Sequence, residues 1–332
     1  MFRPFSDEQA RTLINLSQNY AVWIEAEQIL ETLPYDLRRK TVSGRDYLYE
    51  IWDRSGNGRS LGPWSDELEA RFDSYRAAKS HAKGRREISS TTLDESSRLY
   101  RALRLPLVAS EAATILREAD RRRLLGTDLL VVGTSAMPAY AVEAAGYLDA
   151  PTETQDLDFA WAALETEPQG DKVWPMLKAV DATFTVNTER PFQARNAAAY
   201  EVELLVAPSR IATLARTDRP YPVPLPEQEW LLQGRPVDQV VVGRDGSPAR
   251  IVAPDPRWFA LQKLWLAEQP KRNPLKRSKD ARQGMELLDA VFLAMPQYPM
   301  DAGFEELLPQ ELTAPFLRWK SQRPERTPPA WR

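Results

Sequence analysis

The sequence contains no cysteine and only one histidine, His81. Because cysteine is absent, disulfide bonds, thiolate zinc sites and cysteine nucleophiles are excluded. A single histidine argues against a histidine-rich metal site and against a serine–histidine–aspartate triad. His81 lies within a long charged segment, so we interpret it as a surface residue. The composition suits chemistry that needs little acid–base catalysis by histidine.

Long apolar runs are also absent. No stretch approaches the roughly 18 apolar residues that indicate a membrane-spanning helix. The first residues, MFRPFSDEQARTL, lack the charged and then apolar profile of a secretory signal. We therefore expect a cytoplasmic protein that does not associate with membranes. The formal net charge of -3 provides no overall positive field, so any binding of a polyanion must be local.

The chain has enough apolar sequence to build a core. Of its 332 residues, 43% are hydrophobic and 27% are charged, which is typical of a soluble globular protein. Helical spacing of apolar residues predicts helices over 6–38, 64–104, 258–268 and 281–294. From this pattern we predict three parts: a mainly helical N-terminal region 1–118, a core 119–255 and a helical C-terminal region 256–332.

The predicted core mixes strands with helices. A short, almost wholly apolar run at 128–133 predicts a buried strand. After it, the pattern predicts in order a helix at 136–146, a strand at 156–161, a helix at 173–180, strands at 184–187 and 200–206, an extended proline-rich connection at 217–226, and a hairpin at 239–252. We therefore expect an α+β fold in which helices flank a mixed β-sheet. The tail at 322–332 is expected to be loosely held.

A glycine and two small hydroxyl residues, Gly133, Thr134 and Ser135, lie where the first predicted core strand meets a helix. Backbone N–H groups and the helix dipole at such a turn can hold a phosphate. By itself this signal is weak, since most turns of this kind bind nothing.

Asp156 and Asp158 flank one apolar residue in the second predicted core strand. Because strand side chains alternate, both carboxylates must project from the same face. Two like charges side by side repel each other and are costly to desolvate, so a hard divalent cation is their natural partner. A lone pair of this kind is more often an exposed, solvated strand end.

Glu203 lies in a strand otherwise rich in Val and Leu, with Glu201 on the same face. A third acid on an adjacent strand could complete the oxygen shell of two metal ions. The alternative is a polar outer face of an edge strand. The glycine turn, the paired acids and the third acid on successive strands are far less expected together than separately.

These three elements resemble the signature of the polymerase-beta-type nucleotidyltransferase superfamily. Seven segments are similar to a poorly characterised bacterial branch of it that is related to abortive-infection toxin-type members: YLYEIW, SLGPWSDELE, GTSAMPAY, TQDLDF, YEVELL, FALQKLWLAE and KRSKDARQ. The resemblance spans about 45–290, and its central motifs are the specific ones. It implies the nucleotidyltransferase fold.

The resemblance also implies roles for single residues. Gly133 with Thr134 and Ser135 would hold the phosphates of a nucleotide, and Asp156 and Asp158 would bind Mg²⁺. Glu203 would be the third metal ligand, near the attacking hydroxyl. Many members of the superfamily carry Asp at that position, so Glu203 is a departure that puts the second metal ion in doubt. Two Mg²⁺ ions are expected, with Mn²⁺ as an alternative.

A later segment adds cations. The counterparts of Lys263, Lys276, Lys279 and Asp280 in related enzymes help to hold a triphosphate, and lysine is a suitable point-charge partner for phosphate. For Lys276 a solvated basic turn is an equal alternative. Gln262 stands where the branch more often has His, so the resemblance supports no role for it. Three aromatic residues at helical spacing, Trp258, Phe259 and Trp265, are expected in the core rather than stacked on a base.

The resemblance leads to one main hypothesis and two alternatives. The main one is a Mg²⁺-dependent enzyme that moves a nucleoside monophosphate from an NTP, such as ATP, to a hydroxyl acceptor and releases pyrophosphate. The setting of the relatives, toxin–antitoxin systems and phage defence, favours an RNA end (tRNA included) or a protein side chain as acceptor. The first alternative is an inactive nucleotide- or RNA-binding module, an antitoxin or scaffold, with the same fold. The second is an unrelated metal-dependent phosphohydrolase.

Overall fold

The computed structural model describes residues 2–151, 154, 156–164 and 171–322. The tail predicted to be loosely held lies outside these residues, apart from Gln322. No helix in the described part of the chain is long and apolar enough to cross a membrane.

The N-terminal part combines two long helices with a small sheet. In chain order its elements are β1 (Arg3–Pro4), α1 (Asp7–Thr32), β2 (Asp36–Val42), β3 (Arg45–Ile51), β4 (Gly58–Pro63) and α2 (Asp66–Ala102). The first predicted helix was too long, because β2 already begins at Asp36. Pro34 disfavours helical backbone at Leu33, which is extended with φ -83° and ψ 146° and ends α1.

The rest of the chain alternates between strands and helices. In order, the elements are β5 (Leu107–Val108), α3 (Ser110–Arg121), β6 (Leu129–Val132), α4 (Met137–Glu143), β7 (Gly146–Tyr147), β8 (Asp156–Trp161), α5 (Val173–Val180), β9 (Thr185–Val186), β10 (Gln193–Arg195), β11 (Glu201–Val206), β12 (Val223–Pro224), α6 (Gln228–Leu231), β13 (Val237–Gly243), β14 (Pro248–Ala253), α7 (Pro256–Glu268), α8 (Pro274–Ala294), α9 (Ala302–Glu306) and α10 (Gln310–Ser321). The expected α+β fold is confirmed.

The central sheet has the strand order β6-β8-β11-β10-β9, and β12 pairs with the second half of β11. β6 runs antiparallel to β8, whereas β8 and β11 are parallel. Strands β6, β8 and β11 were predicted from their apolar runs. β10 was not predicted, because three residues with one apolar side chain carry no strand pattern.

The N-terminal helices share a hydrophobic cluster with the second sheet, whose strand order is β14-β13-β5. Tyr20 of α1 and Tyr100 of α2 pack with Val240 and Val242 of β13. In addition, the Tyr20 hydroxyl donates a hydrogen bond to the buried Asp120 at the end of α3. The hairpin of β13 and β14 was predicted correctly.

Helices α7 and α8 pack closely where Gly284 of α8 faces α7. A Cβ atom at Gly284 would come 2.8 Å from the main-chain oxygen of Ala260 and 2.7 Å from a side-chain carbon of Leu264. α8 begins at Pro274, seven residues earlier than the predicted helix at 281–294. Asn273 caps this start through a hydrogen bond from the N–H of Leu275, and proline suits the first helical position. The basic segment after it is therefore helical.

Candidate active site

Four acidic side chains lie at neighbouring positions of the central sheet. The parallel register of β8 and β11 places Asp158 beside Glu203 and Asp156 beside Glu201. Adjacent strands lie about 4.8 Å apart, so side chains on one face at paired positions are neighbours. Leu157 and Phe159 point to the opposite face and are fully buried. Alternation along the two strands thus separates an acidic face from a core face.

The turn after β6 approaches the acidic face through Gly133. Gly133 has φ +68°, in the left-handed region that favours glycine. A Cβ atom there would come 2.1 Å from Oδ2 of Asp158, which is an impossible contact. Gly133 is therefore required both by its backbone conformation and by the position of the Asp158 carboxylate.

Asp158 has an unusual electrostatic environment. Its Oδ1 is buried and has no hydrogen-bond partner among the described residues. Burial, together with repulsion from Asp156 and Glu203, raises the pKa of Asp158 to about 7, although Lys263 and Lys276 oppose the shift. A buried carboxylate oxygen without a donor is costly unless a cation or donor satisfies it.

A buried amide holds the two glutamates of β11. Gln193 of β10 donates through Nε2 to Glu203 Oε1 and to Glu201 Oε2, both at 2.9 Å. Burial raises the pKa of Glu203, with the Gln193 hydrogen bond acting in the opposite direction. Glu201 is also paired with Arg195, whereas Glu203 lines the cleft described below. Glu203, rather than Glu201, is the acid available to a ligand.

On the opposite side of the site, a buried ion network joins α7 to α8. Lys263 Nζ contacts Asp280 Oδ1 at 2.8 Å, and Arg272 contacts Asp280 Oδ2 at 2.8 Å. Lys263 is 5% exposed and Asp280 is 2% exposed. Both oxygens of Asp280 are thus occupied by cations, so its side chain positions Lys263 and Arg272.

A cleft of about 290 Å³ lies between these two groups. Its charged lining consists of Asp156, Asp158, Glu203, Glu227, Lys263, Arg272 and Lys276. Apolar side chains complete it, namely Val132, Phe192, Leu205, Val223, Leu225, Leu231 and Leu266. The structure thus brings the predicted acids together with Gly133, Lys263 and Lys276.

Thr134 and Ser135, which were predicted to bind a nucleotide, are buried and bonded within the protein. The Ser135 hydroxyl donates to the main-chain oxygen of Asp156 at 3.2 Å. Thr134 Oγ1 accepts from Gln283 of α8 at 3.3 Å. Neither residue lines the cleft, and neither does Lys279 or Asp280. Lys279 lies close enough to Lys263 that burial and this neighbour lower its pKa.

Gln193 and Arg272 were not identified from the sequence. Gln193 lies in the unpredicted strand β10, and Arg272 lies in a basic segment in which nothing singles it out. The aromatic residues, by contrast, were interpreted correctly as core residues. Trp258 and Phe259 are buried, and Trp265 packs edge-on against Trp230 with ring centroids 5.1 Å apart.

The donor set fits a hard divalent cation. In the described part of the chain, no three acidic or histidine side chains are already gathered as a metal-ligand cluster. Carboxylate oxygens are nevertheless the ligands that Mg²⁺ prefers, and the buried Oδ1 of Asp158 lacks a partner among the described residues. Gly133 also leaves room for the carboxylate at this point. Asp156, Asp158 and Glu203 are the residues that could hold such an ion.

The mixed sheet, with its glycine turn and its acids on two parallel strands, is consistent with a transferase that acts on nucleotides. A family model described as a nucleotidyltransferase matches residues 110–307. The match covers more than half of the chain, and the chain belongs to this nucleotidyltransferase family. The predicted superfamily and the expected nucleotide substrate are thereby supported. No curated protein and no solved structure matches the chain.

Proposed function

We propose that this protein transfers a nucleoside monophosphate from an NTP to a hydroxyl acceptor and releases pyrophosphate. The observation that carries the proposal is the pairing of Asp158 with Glu203 in parallel register, with Asp156 two residues away on the same face. The buried, unpartnered Oδ1 belongs to Asp158, and Asp158 lines the same cleft as Asp156, Glu203 and the cations.

In such a transfer the acidic and the basic residues of the cleft would have different roles. Asp156, Asp158 and Glu203 would hold Mg²⁺, or Mn²⁺ in its place, which when bound neutralises phosphate charge and polarises the phosphoryl group. Lys263, Arg272 and Lys276 supply positive charge for the triphosphate. Nucleotidyl transfer depends mainly on such positioning and neutralisation.

The transfer balances without any further reactant. The acceptor oxygen forms a bond to the α-phosphorus while the bond from that phosphorus to the bridging oxygen of the β-phosphate breaks. Pyrophosphate carries away the electron pair, and the hydroxyl proton passes to solvent. Glu203 lies beside Asp158 and orients the attacking hydroxyl. Glu203 is one methylene longer than Asp, and a hydrogen bond from Gln193 holds one of its oxygens.

The resemblance to toxin-type relatives supports an RNA end, tRNA included, or a protein side chain as acceptor. It likewise supports a role in a toxin–antitoxin system.

The test is pyrophosphate release with Mg²⁺ and each of the four NTPs, with and without total cellular RNA. The wild-type protein is compared with an Asp156→Ala, Asp158→Ala variant and with Glu201→Gln as a matched control. We expect acceptor-dependent release that is lost in the double variant and kept within a few-fold in Glu201→Gln, because Glu201 is bound to Arg195 and Gln193 rather than exposed to the cleft. NTP binding without release under every condition would favour the inactive binding module.

A further inference from the structure

A second cavity is strongly basic. Its lining residues precede the segment that the family model matches. The cavity lies between the end of α1, strand β2 and helix α2, and its volume is about 820 Å³. Its charged lining comprises the basic residues Arg38, Arg54, Arg76, Lys79, Lys83 and Arg86 and one acid, Asp36. We call this cavity the basic groove. Positive charge is concentrated here although the whole chain has a net charge of -3.

Only part of this charge is neutralised within the protein. Arg38 pairs with Asp36 at 2.7 Å, and Arg86 lies 3.7 Å from Glu27. In contrast, Arg54, Arg76 and Lys83 form no ion pair with any described residue. The basic groove therefore presents uncompensated positive charge, which is the electrostatic requirement for binding a polyanion.

The cations on α2 form a row. Residues 76, 79, 83 and 86 are separated by three or four positions, which places them on one face of the helix. With a rise of 1.5 Å per residue, the row is about 15 Å long. A stacked strand advances about 3.4 Å per nucleotide, so the row matches about four phosphates. This is at the lower end of the sizes of single-strand binding sites.

An aromatic side chain stands at the wall of the basic groove. Tyr35 is 45% exposed, so its ring is accessible to a ligand. Lys79 donates hydrogen bonds to the main-chain oxygen of Tyr35 and to the Tyr75 hydroxyl, which fixes this wall. Exposed aromatic rings beside a basic track are the typical platform on which unpaired bases stack.

Two other cavities among the described residues differ from the basic groove in charge balance. The cavity beside β6 is lined by three bases, Arg122, Arg123 and Lys172, and by three acids, Glu31, Asp128 and Asp171. The active-site cleft also carries acids and bases in similar number. In both cavities acidic side chains interrupt the positive charge. A long polyanion is therefore better matched to the basic groove.

We propose that the basic groove binds the phosphate backbone of a single-stranded nucleic acid, with Tyr35 stacking on a base. This binding does not depend on the proposed transfer reaction, since none of its residues belongs to the active-site cleft. A single-stranded chain is favoured over a free nucleotide because the row of cations is longer than one triphosphate needs.

The test is fluorescence anisotropy with a labelled 12-nucleotide single-stranded RNA, without NTP. The variant Arg76→Gln, Lys83→Gln is compared with Arg98→Gln, Arg101→Gln, which removes the same charge from the same helix outside the basic groove. We expect at least tenfold weaker binding for the first variant and wild-type binding for the second. Each lost phosphate contact lowers the salt slope of a single-strand complex by about 0.7, so a decrease of about 1.4 is expected. Equal thermal unfolding midpoints establish that both variants fold.

Further variants distinguish base stacking from phosphate binding. Competitors distinguish binding of nucleic acid from binding of other polyanions. Tyr35→Ala should weaken binding several-fold, and Tyr35→Phe should preserve it. The Asp156→Ala, Asp158→Ala variant should bind as the wild type does, even if it transfers nothing. Polyglutamate or inorganic triphosphate competing as well as unlabelled RNA would overturn the proposal, as would unchanged binding by Arg76→Gln, Lys83→Gln or by Tyr35→Ala.

Discussion

The Asp158 carboxylate occupies the space that a side chain on Gly133 would fill. Its Oδ2 lies 2.1 Å from the position of a Cβ atom on Gly133. The glycine turn after β6 and the acid of β8 therefore form one unit, even though 25 positions separate them in the sequence. A side chain at position 133 would therefore disturb the acid at position 158.

The first prediction concerns Gly133→Ala. The new Cβ must displace Asp158, and a displacement of about 1 Å at a catalytic group can lower the rate about 100-fold. The measurement is pyrophosphate release at saturating NTP. Gly126→Ala is the control, since Gly126 also has a positive φ, +83°, but its Cβ would come no closer than 3.5 Å to any neighbouring atom.

Both glycine variants should lose about 1 to 2 kcal/mol of stability from left-handed strain, which urea unfolding measures. Only Gly133→Ala should lose activity. Similar activity in the two variants would show that the contact with Asp158 has no catalytic consequence.

The second prediction concerns the buried ion network of α7 and α8. Asp280→Asn leaves Lys263 buried without a counter-ion, and breaking a buried pair in this way costs about 3 kcal/mol. Lys263→Met should cost less, because Asp280 keeps Arg272 as its partner. The free energy of unfolding in urea gives both values. A greater loss in Lys263→Met than in Asp280→Asn would contradict the role of Asp280 as the shared anchor.

The third prediction uses two helical glycines in different surroundings. Gly284→Ala should destabilise the protein by about 1 to 2 kcal/mol, because the added methyl group overlaps Ala260 and Leu264 of the facing helix. Gly84→Ala in α2 should stabilise it by roughly 0.5 to 1 kcal/mol, because nothing lies within 4 Å and alanine favours helix. Denaturant unfolding of both variants checks the opposite signs.

The sequence predicted that Asp156 and Asp158 share one face of the sheet, because strand alternation is a local rule. The pattern at Asp156 and Asp158 determines which face the carboxylates share, and the apolar runs at 128–133 and 200–206 mark the neighbouring strands. What no local rule could predict was the register that places Glu203, rather than Glu201, beside Asp158. That register depends on pairing between distant segments.

The residues that support the site were harder to predict. Gln193 acts through two hydrogen bonds from a three-residue strand, and Arg272 acts through Asp280. Neither stands out by periodicity or spacing. The start of α8 was predicted too late although Asn273 and Pro274 are a typical helix start, because the charged residues after them lack apolar periodicity.

The most direct test of the proposed activity follows the phosphorus atoms of the NTP. The protein is incubated with Mg²⁺ and total cellular RNA, using NTP labelled either at the α- or at the γ-phosphate. We predict that α-label becomes covalently attached to the acceptor and γ-label appears in pyrophosphate, and that both products are lost in the Asp156→Ala, Asp158→Ala variant. Release of γ-label as free phosphate, with no α-label transferred, would contradict nucleotidyl transfer and indicate a phosphohydrolase.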